Sequence, residues 1–373
     1  MGDLSASSCD YIALSTRGVQ GLHPYLPGKP VEELERELGI ENIIKLASNE
    51  NPLGMSLLAK SAVTAELNNG ARYPDGNGFR LKQALGAYLR VGMETITLGN
   101  GSNDILDLIV RAYADVESEV IYSEYAFAVY AISCQSVGAK AVVTPAKSWG
   151  HDLQAMLDAI TDNTKLIFIA NPNNPTGTSV DSRTLEHFLS RVPESVIVVL
   201  DEAYCEYIDD PDFPDGVALL NMHPNLIVTR TFSKAWGLAS LRVGYALSNV
   251  EIADVLNRVR HPFNVNSFAL AAAAAVLSDK DFLRESQSIN KVGLACISGG
   301  LDSLGLVYIP SKGNFITFDT GRDAMSVYQS MLLQGVIVRP LVNYDMPNHL
   351  RVTVGLQSEN ERFLEALSMA LSK

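Results

Sequence analysis

The feature that most constrains the fold is a repeated order of segments: a short apolar run rich in β-branched residues, then a polar or glycine-rich turn, then a helical pattern. The runs are continuous rather than alternating, as in IVVL and LIFIA. Such runs are typical of strands that are buried on both faces by helices. The middle of the chain therefore predicts an α/β domain with a mainly parallel sheet flanked by helices. The runs are ETITLGNG (94–101), SEVIYSEY (118–125), KLIFIANP (165–172), VIVVLDEAY (196–204) and NLIVTRTFSK (225–234).

The pattern changes after about residue 266. An alanine-rich helix (267–279) precedes a long polar helical stretch, and three further strand-like runs follow: GNFITFDT (313–320), GVIVRPLV (335–342) and HLRVTVG (349–355). This order predicts a smaller C-terminal α/β domain. The predicted division is an N-terminal arm (1–40), a large domain (41–266) and a small C-terminal domain (267–373).

Composition and charge limit the partners of this chain. Of its 373 residues, 47% are hydrophobic and 19% charged, as in an ordinary globular protein. The net charge is −13, so the surface repels phosphate backbones and anionic lipid, and we expect neither nucleic acid nor a membrane as a partner. The N-terminal segment MGDLSASSCDYIALS has no basic region and no apolar core, so we expect no signal peptide and a cytoplasmic location.

Several kinds of functional site find no support in the sequence. The four cysteines are far apart, with no C-x-x-C spacing, and we expect reduced thiols rather than a metal site or a redox pair. The templates G-x-x-x-x-G-K-[ST], G-x-S-x-G and H-E-x-x-H are absent. DGNGFRL (75–81) begins like a dinucleotide fingerprint but has Leu81 in place of the third glycine. We therefore predict no metal.

Polar residues follow the apolar runs, where ligands bind in open parallel sheets. GNGSND (99–104) can let backbone amides and a helix N-terminus approach an anion, although the motif taken alone favours a simple glycine turn with a helix cap. In NPNNPTG (171–177), Asn174 is either part of a rigid turn or a fixed hydrogen-bond donor. Asp201 ends a buried run and is either a helix cap or the counter-charge of a buried cationic ring.

A lysine completes this set. Lys234 follows the last run, with Ser233 before it, Arg242 eight residues after it, and mostly apolar or aromatic flanks. Such surroundings desolvate an ammonium and make the neutral amine available as a nucleophile. A reactive lysine, an acid for a pyridinium nitrogen and donors for a phosphate together meet the requirements of pyridoxal phosphate. Each motif alone is weak evidence, but their order along the chain is specific.

With these motifs the sequence resembles the aminotransferases of pyridoxal-phosphate fold type I, and among them the histidinol-phosphate aminotransferases. NPNNPTG, DEAY and SKAWGLASLRVG are shared with the wider superfamily, whereas other segments are similar to the narrower family. The latter are GLHPYLPGKP (21–30), KLASNENPLG (45–54) and RYPD (72–75). The resemblance implies a large domain with a mainly parallel central sheet, a smaller C-terminal α/β domain, and pyridoxal 5'-phosphate as cofactor.

The resemblance also implies roles for individual residues. Lys234 would bind the cofactor covalently and catalyse proton transfer, Asp201 would pair with the ring nitrogen, and Tyr204 would assist at the ring hydroxyl. The remaining cofactor contacts would be Asn174 at the ring hydroxyl, Ser102, Asn103, Ser233 and Arg242 at the phosphate, Tyr125 stacked on the ring, and Tyr73 at the phosphate of the other subunit of a homodimer. The substrate would be bound by Arg351 and Arg339, with Tyr25 and Asn51 nearby.

The expected reaction is the conversion of L-histidinol phosphate and 2-oxoglutarate to imidazole acetol phosphate and L-glutamate, in histidine biosynthesis. The nearest alternative is an aromatic amino acid aminotransferase, because two arginines can accept either a carboxylate or a phosphate. A second alternative is a decarboxylase of a phosphorylated amino acid, which would release CO₂ and need no keto acid. A regulator with an aminotransferase-like sensor domain would need a basic DNA-binding module, which the sequence does not supply.

Overall fold

The computed structural model describes residues 9–24 and 28–372. Its strands are β1 (Ile44–Lys45), β2 (Ile96–Gly99), β3 (Glu119–Ser123), β4 (Lys140–Thr144), β5 (Ala146–Lys147), β6 (Gly150–His151), β7 (Thr164–Ala170), β8 (Ile197–Asp201), β9 (Leu226–Thr231), β10 (Gly244–Leu247), β11 (Tyr308–Ile309), β12 (Phe315–Asp319), β13 (Val336–Ile337), β14 (Arg339–Pro340) and β15 (His349–Thr353). Its α-helices are α1 (Arg17–Gln20), α2 (Val31–Leu38), α3 (Leu57–Glu66), α4 (Phe79–Leu89), α5 (Ser102–Tyr113), α6 (Ala128–Ser136), α7 (Leu153–Asp158), α8 (Ser182–Leu189), α9 (Gly216–Leu219), α10 (Val250–Val259), α11 (Ser267–Val276), α12 (Lys280–Ser303), α13 (Ala324–Leu332) and α14 (Gln357–Leu371).

A seven-stranded sheet forms the centre of the larger part of the molecule, in the order β2-β10-β9-β8-β7-β3-β4. The pairs β9–β8, β8–β7, β7–β3 and β3–β4 are parallel, whereas β10 is antiparallel to both of its neighbours. The continuous apolar runs therefore form buried, mainly parallel strands, and the predicted α/β class is confirmed.

The two faces of this sheet are covered by different sets of helices. On β8, Val198 and Leu200 pack into a core with residues of α3, α4, α7, α8 and α11. Val199 lies on the other face, in a core with residues of α5, α6 and α10. Successive side chains of a strand point to opposite faces, so the alternation along β8 and β9 decides which side chains face the site described below.

Short polar side chains begin many of these helices. The side chain of Asp152 accepts hydrogen bonds from the amides of the first turn of α7, and Asp181 does the same for α8. Asn266 and Asp279 cap α11 and α12 in this way. Such caps satisfy amides that the helix itself leaves unpaired and fix where each helix begins.

A smaller antiparallel sheet, β11-β12-β15-β14, packs with α12, α13 and α14 around a separate core. Helix α11, which the sequence assigned to the small domain, instead packs Ala269, Ala272 and Ala273 into the core of the large sheet, against α3 and α4. The predicted boundary at residue 266 stays a prediction, and we propose that these contacts favour a boundary within α12.

Candidate active site

A cavity of about 340 Å³ opens at the carboxyl ends of the parallel strands, between the large sheet and the smaller one. Open α/β sheets bind ligands at this edge. The cavity is lined by Gly28, Ala47, Ser48, Asn49, Ser102, Asn103, Phe127, Ala170, Pro172, Asn174, Asp201, Ala203, Tyr204, Thr231, Ser233, Lys234, Arg242, Arg339, Tyr344 and Arg351.

Asp201 lies at the last position of β8 and is buried. Its Oδ2 accepts a hydrogen bond of 2.8 Å from the hydroxyl of Tyr130, and its Oδ1 accepts one of 3.1 Å from the hydroxyl of Thr229. Burial raises the pKa of Asp201, while these hydroxyls oppose the shift. Both side-chain donors are neutral, so a cationic group in the cavity would further stabilise the ionised carboxylate.

Lys234 follows β9 and projects its amine into the same cavity. The Nζ donates a hydrogen bond of 3.0 Å to the carbonyl of Ser48 and lies 5.8 Å from the ring centre of Tyr204. Burial lowers the pKa of Lys234 to about 7, and the nearby Arg351 guanidinium adds to the shift. A large fraction of the amine is therefore neutral near neutral pH and can act as a nucleophile or a base.

The start of α5 forms a cradle for an anion. Gly101 precedes the helix with φ of +85°, and a Cβ there would lie 2.4 Å from Nη2 of Arg242. A Cβ at Gly244 would lie 2.5 Å from the amide nitrogen of Ser102, so both positions exclude a side chain. The Nη1 of Arg242 also donates to Oγ of Ser233 over 3.2 Å. Amides at a helix N-terminus beside a guanidinium and hydroxyls are suited to a phosphate group.

A second cationic pair comes from the smaller sheet. Arg339 on β14 and Arg351 on β15 are paired across neighbouring antiparallel strands, and both are buried. Arg351 donates from Nη1 to Oδ1 of Asn174 and from Nη2 to the carbonyl of Ala47 over 2.8 Å. The pair places two guanidinium groups at the cavity wall opposite the sheet ends.

The cavity is lined mainly by cations, although the chain as a whole carries a negative charge. Among its described lining residues, Lys234, Arg242, Arg339 and Arg351 are basic and Asp201 is the single acid, whereas the chain as a whole carries −13. A local excess of cations in a partly desolvated cleft attracts small anions in spite of the acidic surface. The arrangement has two separate cationic positions, one at α5 and one at β14–β15.

Tyr204 lines the same cavity, near Lys234 and Arg351. It is buried three residues after Asp201, and its hydroxyl accepts a hydrogen bond of 2.9 Å from Nδ2 of Asn49. Burial raises the pKa of Tyr204 to about 12, so its hydroxyl stays protonated and can donate to a ligand at neutral pH.

The structure does not bring every predicted residue to the cavity. Tyr125 packs its ring against Trp149, with 5.1 Å between ring centres, and does not line the cavity. Asn51 donates to the carbonyl of Ala235 and to Oγ of Ser286, so its side chain is used within the fold. Tyr73 is 83% exposed and stacks on Phe263, away from this cavity. Tyr25 lies outside the described residues.

The sequence reasoning also missed residues that line the cavity or support it. Phe127 lines the wall two residues after Tyr125. Asn49 lines it from the segment after β1, and Tyr344 from the turn between β14 and β15. Tyr130 supports Asp201 from α6. The helical spacing of Phe127 and Tyr130 at the start of α6, directly after a strand end, is the signal that could have identified both.

Other classes of site have no counterpart in the described part of the chain. Within residues 9–24 and 28–372, histidine, cysteine, aspartate and glutamate side chains form no group of three or more that could hold a metal ion. No helix in these ranges combines the length and the apolar character that a membrane crossing requires.

Comparison with known proteins agrees with this geometry. Residues 41–367 match the family described as "Aminotransferase class I and II". The chain is 58% identical over 368 residues to histidinol-phosphate aminotransferase 2 of Pseudomonas fluorescens, an alignment that covers 98% of this chain and 100% of that one. It is 53% identical to histidinol-phosphate aminotransferase 2 of Pasteurella multocida, over 97% of this chain and 99% of that one.

Solved structures show the same fold. The histidinol-phosphate aminotransferase of Sinorhizobium meliloti, in complex with pyridoxal-5'-phosphate, superposes with a TM-score of 0.88 and 28% identity, covering 99% of both chains. The aspartate aminotransferase of Thermus thermophilus with maleate gives a TM-score of 0.82 at 21% identity, over 95% of this chain and 99% of that one, which shows the fold alone. The predicted fold type I is confirmed.

The residues present fit pyridoxal phosphate. Among the described residues, the side chains that donate to Asp201 are neutral, and a pyridinium nitrogen would supply a cationic partner. Ser102, Asn103 and Arg242 line open space in the cavity at the start of α5, where a Cβ at Gly101 would clash with Arg242. Burial lowers the pKa of Lys234 to about 7. These three observations concern the ring nitrogen, the phosphate and the aldehyde carbon of one ligand, and the residues involved line the same cavity.

Proposed function

As the chain belongs to the class I and II aminotransferases and, within them, to the histidinol-phosphate aminotransferase family, we propose that it transfers the amino group of L-histidinol phosphate to 2-oxoglutarate. The products would be imidazole acetol phosphate and L-glutamate, and the cofactor is pyridoxal phosphate. A cytoplasmic location is part of the proposal, supported by Cys134, Cys205 and Cys296, which are thiols rather than disulfides.

The paired arginines of the smaller sheet carry the substrate assignment. Arg339 and Arg351 face the same cavity as Lys234, but they are separate from the cradle at α5 that suits the cofactor phosphate. A guanidinium pair binds phosphate and carboxylate alike. One position can therefore hold the phosphate of L-histidinol phosphate in one half of the reaction and a carboxylate of 2-oxoglutarate in the other.

The cofactor would be held by residues whose positions are now known. Ser102, Asn103, Ser233 and Arg242 would bind its phosphate, Asn174 and Tyr204 its ring hydroxyl, and Asp201 its ring nitrogen. We propose that Phe127, rather than Tyr125, packs against its ring, because Phe127 lines the cavity. When bound, pyridoxal phosphate supplies an electron sink for the bond at the substrate's Cα.

The side chains of the chain perform the proton transfers. The neutral amine of Lys234, acting as general base, takes the proton from Cα of the substrate. As general acid it then gives this proton to C4′ of the cofactor. Asp201 holds a proton on the ring nitrogen by its negative charge, and Tyr130 and Thr229 keep that carboxylate in place. The hydroxyl of Tyr204 stays protonated and acts as a donor.

A half-reaction tests the proposal. Purified protein loaded with pyridoxal phosphate is mixed with L-histidinol phosphate or with L-phenylalanine, and the loss of the visible absorbance of the bound cofactor is followed. We expect fast loss with L-histidinol phosphate and slow loss with L-phenylalanine. Faster loss with L-phenylalanine would assign the aromatic alternative. L-histidinol phosphate has no carboxyl group to lose, so the decarboxylase is tested with O-phospho-L-serine in a parallel sample, and release of CO₂ there would assign it. Lys234→Ala is the control that abolishes the reaction.

A homodimer is the second part of the proposal. Tyr73 lies beside an apolar cavity of about 520 Å³ that is open to the surface, and its ring is 83% exposed. Leu57, the first residue of α3, and Leu67, directly after α3, are also strongly exposed, and other residues of α3 line this cavity. Exposed apolar surface of this kind is typical of an interface between protein chains. A second copy would cover it and could bring Tyr73 to the partner's cofactor site.

Mixing two inactive variants tests this arrangement. If Tyr73 acts at the partner's site, Tyr73→Ala and Lys234→Ala chains that are unfolded and refolded together form hybrids with one intact site. We expect about a quarter of wild-type activity from an equal mixture, because half of randomly paired dimers are hybrids with one site each. An inactive mixture that sediments as dimers would contradict the shared site, and a monomer in sedimentation would contradict the dimer.

A further inference from the structure

A buried charged cluster lies directly behind the candidate active site, on the other face of the sheet. It consists of Glu202, Glu206, Arg230 and Trp236, and we call it the rear cluster. Asp201 and Thr229 face the side of the sheet where Tyr130 and Val199 lie. Their chain neighbours Glu202 and Arg230 point to the opposite face, because side chains alternate along a strand.

The ion pair of Glu202 and Arg230 is the centre of the rear cluster. The Oε2 of Glu202 accepts hydrogen bonds from Nε of Arg230 over 2.8 Å and from Nη2 over 2.7 Å. The Glu202 side chain is fully buried, and that of Arg230 is 13% exposed. An ion pair this deep has a large desolvation cost, so its presence at this position calls for a reason beyond stability.

The backbone register relates this ion pair to the active-site acid. Asp201 and Thr229 are paired positions on the parallel strands β8 and β9, and the amide of Glu202 donates to the carbonyl of Thr229 over 2.8 Å. Two contacts thus join the ends of β8 and β9. The Thr229–Asp201 hydrogen bond lies on the face of the sheet that Tyr130 covers, and the Arg230–Glu202 ion pair lies on the opposite face. The ion pair and the Thr229–Asp201 hydrogen bond therefore lie at neighbouring positions of one strand register.

The rest of the rear cluster extends the connection to the lysine segment. Trp236, two residues after Lys234, donates from Nε1 to Oε1 of Glu206 over 3.2 Å. Glu206 lies two residues after Tyr204, and its backbone carbonyl accepts from Nε2 of Gln287 on α12 over 2.6 Å. The rear cluster therefore contacts both segments that carry the side chains facing the cofactor site.

We propose that Glu202 and Arg230 are positioning residues of the aminotransferase site: their ion pair fixes the ends of β8 and β9 so that Asp201 is held at the distance and angle required for the cofactor ring. The inference rests on the proposed function, because it assigns the ion pair a role in placing a cofactor contact. It assigns no contact between the ion pair and substrate or cofactor.

The first test is Glu202→Gln, which keeps the size of the side chain and removes its charge. We expect kcat to fall about 10- to 100-fold, the cost of a small misplacement of a catalytic group. Because the substrate arginines lie on another sheet, KM for both substrates should change by less than about threefold. The Kd for pyridoxal phosphate, measured by titrating the apoenzyme, should rise. A kcat within about threefold of wild type would overturn the proposal.

A double variant separates positioning from stability. Replacing both charges in Glu202→Met/Arg230→Met removes the ion pair, and losing the Arg230 charge raises the pKa of the buried Glu206 further, which favours the neutral form of that carboxyl. The unfolding midpoint should therefore return toward that of wild type. Positioning predicts that kcat and the Kd for pyridoxal phosphate remain impaired in this double variant. If kcat and the Kd for pyridoxal phosphate recover together with the unfolding midpoint, the ion pair is purely structural and the proposal is overturned.

A third variant covers the case in which the double variant does not fold. Arg230→Lys keeps the positive charge but lacks the planar fork that contacts Glu202 twice, so we expect a loss of kcat between those of wild type and Glu202→Gln. Wild-type kcat in Arg230→Lys would contradict the proposal.

The matched control is Glu119→Gln. Glu119 is a buried glutamate paired with Lys140 over 2.7 Å at the amino end of β3 in the same sheet, away from the site. It should leave kcat and the Kd for pyridoxal phosphate unchanged. If the wild type does not use L-histidinol phosphate, the proposed substrate fails, whereas the cofactor titration of the same variants still tests the positioning role.

Discussion

The hydroxyl of Tyr130 donates a hydrogen bond to Oδ2 of Asp201 across 2.8 Å, and so connects the first turn of α6 to the end of β8. The phenol is fully buried, and burial together with the nearby carboxylate raises its pKa well above the usual range. It therefore remains a donor at every pH at which the protein works. The hydrogen bond favours the ionised form of Asp201, against the burial that disfavours it.

Removing this donor should weaken cofactor binding. In Tyr130→Phe the carboxylate of Asp201 loses one of its two hydroxyl donors, so its pKa rises and less negative charge is available to the cofactor ring. We expect the Kd for pyridoxal phosphate to rise about tenfold, the cost of a hydrogen bond to a charged group, and kcat to fall. Titration of the apoenzyme with pyridoxal phosphate measures this Kd. Tyr328→Phe, at a buried tyrosine of the smaller core, is the control and should leave both values unchanged.

The guanidinium of Arg351 should determine substrate affinity rather than the rate of the chemical step. It donates to Asn174 and to the carbonyl of Ala47, a geometry that a lysine amine cannot reproduce. In Arg351→Lys we expect KM for L-histidinol phosphate and for 2-oxoglutarate to rise about 10- to 100-fold together, because the same group would bind the anion of each. Steady-state kinetics with both substrates decide this.

The control for Arg351 is Arg322→Lys, at an exposed arginine outside the cavity. It should leave both KM values unchanged. A rise in KM for only one substrate of Arg351→Lys would mean that phosphate and carboxylate use different sites.

Two aromatic residues that follow β3 should differ in how much their replacement weakens cofactor binding. Phe127 lines the cavity, whereas Tyr125 packs on Trp149 outside it. We expect Phe127→Ala to raise the Kd for pyridoxal phosphate about tenfold, through the loss of an aromatic contact, and Tyr125→Ala to change it far less. The two variants are measured by the same apoenzyme titration. The opposite order would restore the original assignment of Tyr125 to the cofactor ring.

Much of the site could be predicted because a parallel sheet gathers its ligand contacts at one edge. Asn174, Asp201 and Lys234 each follow an apolar run in the sequence, and Arg242 comes eight residues after Lys234. All four line one cavity in the structure. The positions of these residues at or after the ends of apolar runs were therefore enough to predict that they share one site. The spatial order of the strands, which differs from their order in the sequence, was not needed.

What could not be predicted depends on local backbone geometry and on packing between distant helices. Tyr125 has a left-handed backbone, with φ of +54°, in the turn before α6, and nothing in a tyrosine signals such a conformation. Helix α11 is almost uniformly apolar, so its sequence does not show which core it joins, and its contacts with α3 decide the matter. The role proposed for Tyr73 requires a second chain, which the sequence of one chain does not place.

Lys234 should react as an amine of unusually low pKa. Burial, with Arg351 nearby, lowers its pKa to about 7. Only the neutral amine is acylated, so labelling of the apoenzyme by acetic anhydride should rise through about pH 7 and then level off at Lys234. A free lysine derivative in the same tube, with a pKa of about 10.4, continues to rise and serves as the reference. Mass spectrometry of the labelled peptides gives both curves, and a Lys234 curve parallel to the reference would contradict the desolvated amine.

Gly101 should be irreplaceable for a reason that goes beyond its backbone angle. Gly101 and Gly305 both have a left-handed backbone, with φ of +85° and +69°. A Cβ at Gly305 would meet nothing within 4 Å, whereas one at Gly101 would lie 2.4 Å from Nη2 of Arg242. Alanine at Gly305 carries a backbone strain of about 1–2 kcal/mol. The strain at Gly101 is larger, because its ψ of 165° places it in a region that only glycine readily adopts. Thermal unfolding measures both costs. Only Gly101→Ala also displaces the guanidinium that would bind the cofactor phosphate.

We therefore expect Gly101→Ala to bind pyridoxal phosphate more than about tenfold more weakly, as when a charged hydrogen-bond donor is lost, while Gly305→Ala binds it like the wild type. The unfolding midpoints of the two apoenzymes give the backbone cost of each substitution separately, and the loss of affinity for pyridoxal phosphate reports the steric effect at Arg242. Inorganic phosphate should protect wild-type apoenzyme and Gly305→Ala against thermal unfolding, and Gly101→Ala much less. Equal protection of all three proteins would place the phosphate somewhere other than the start of α5.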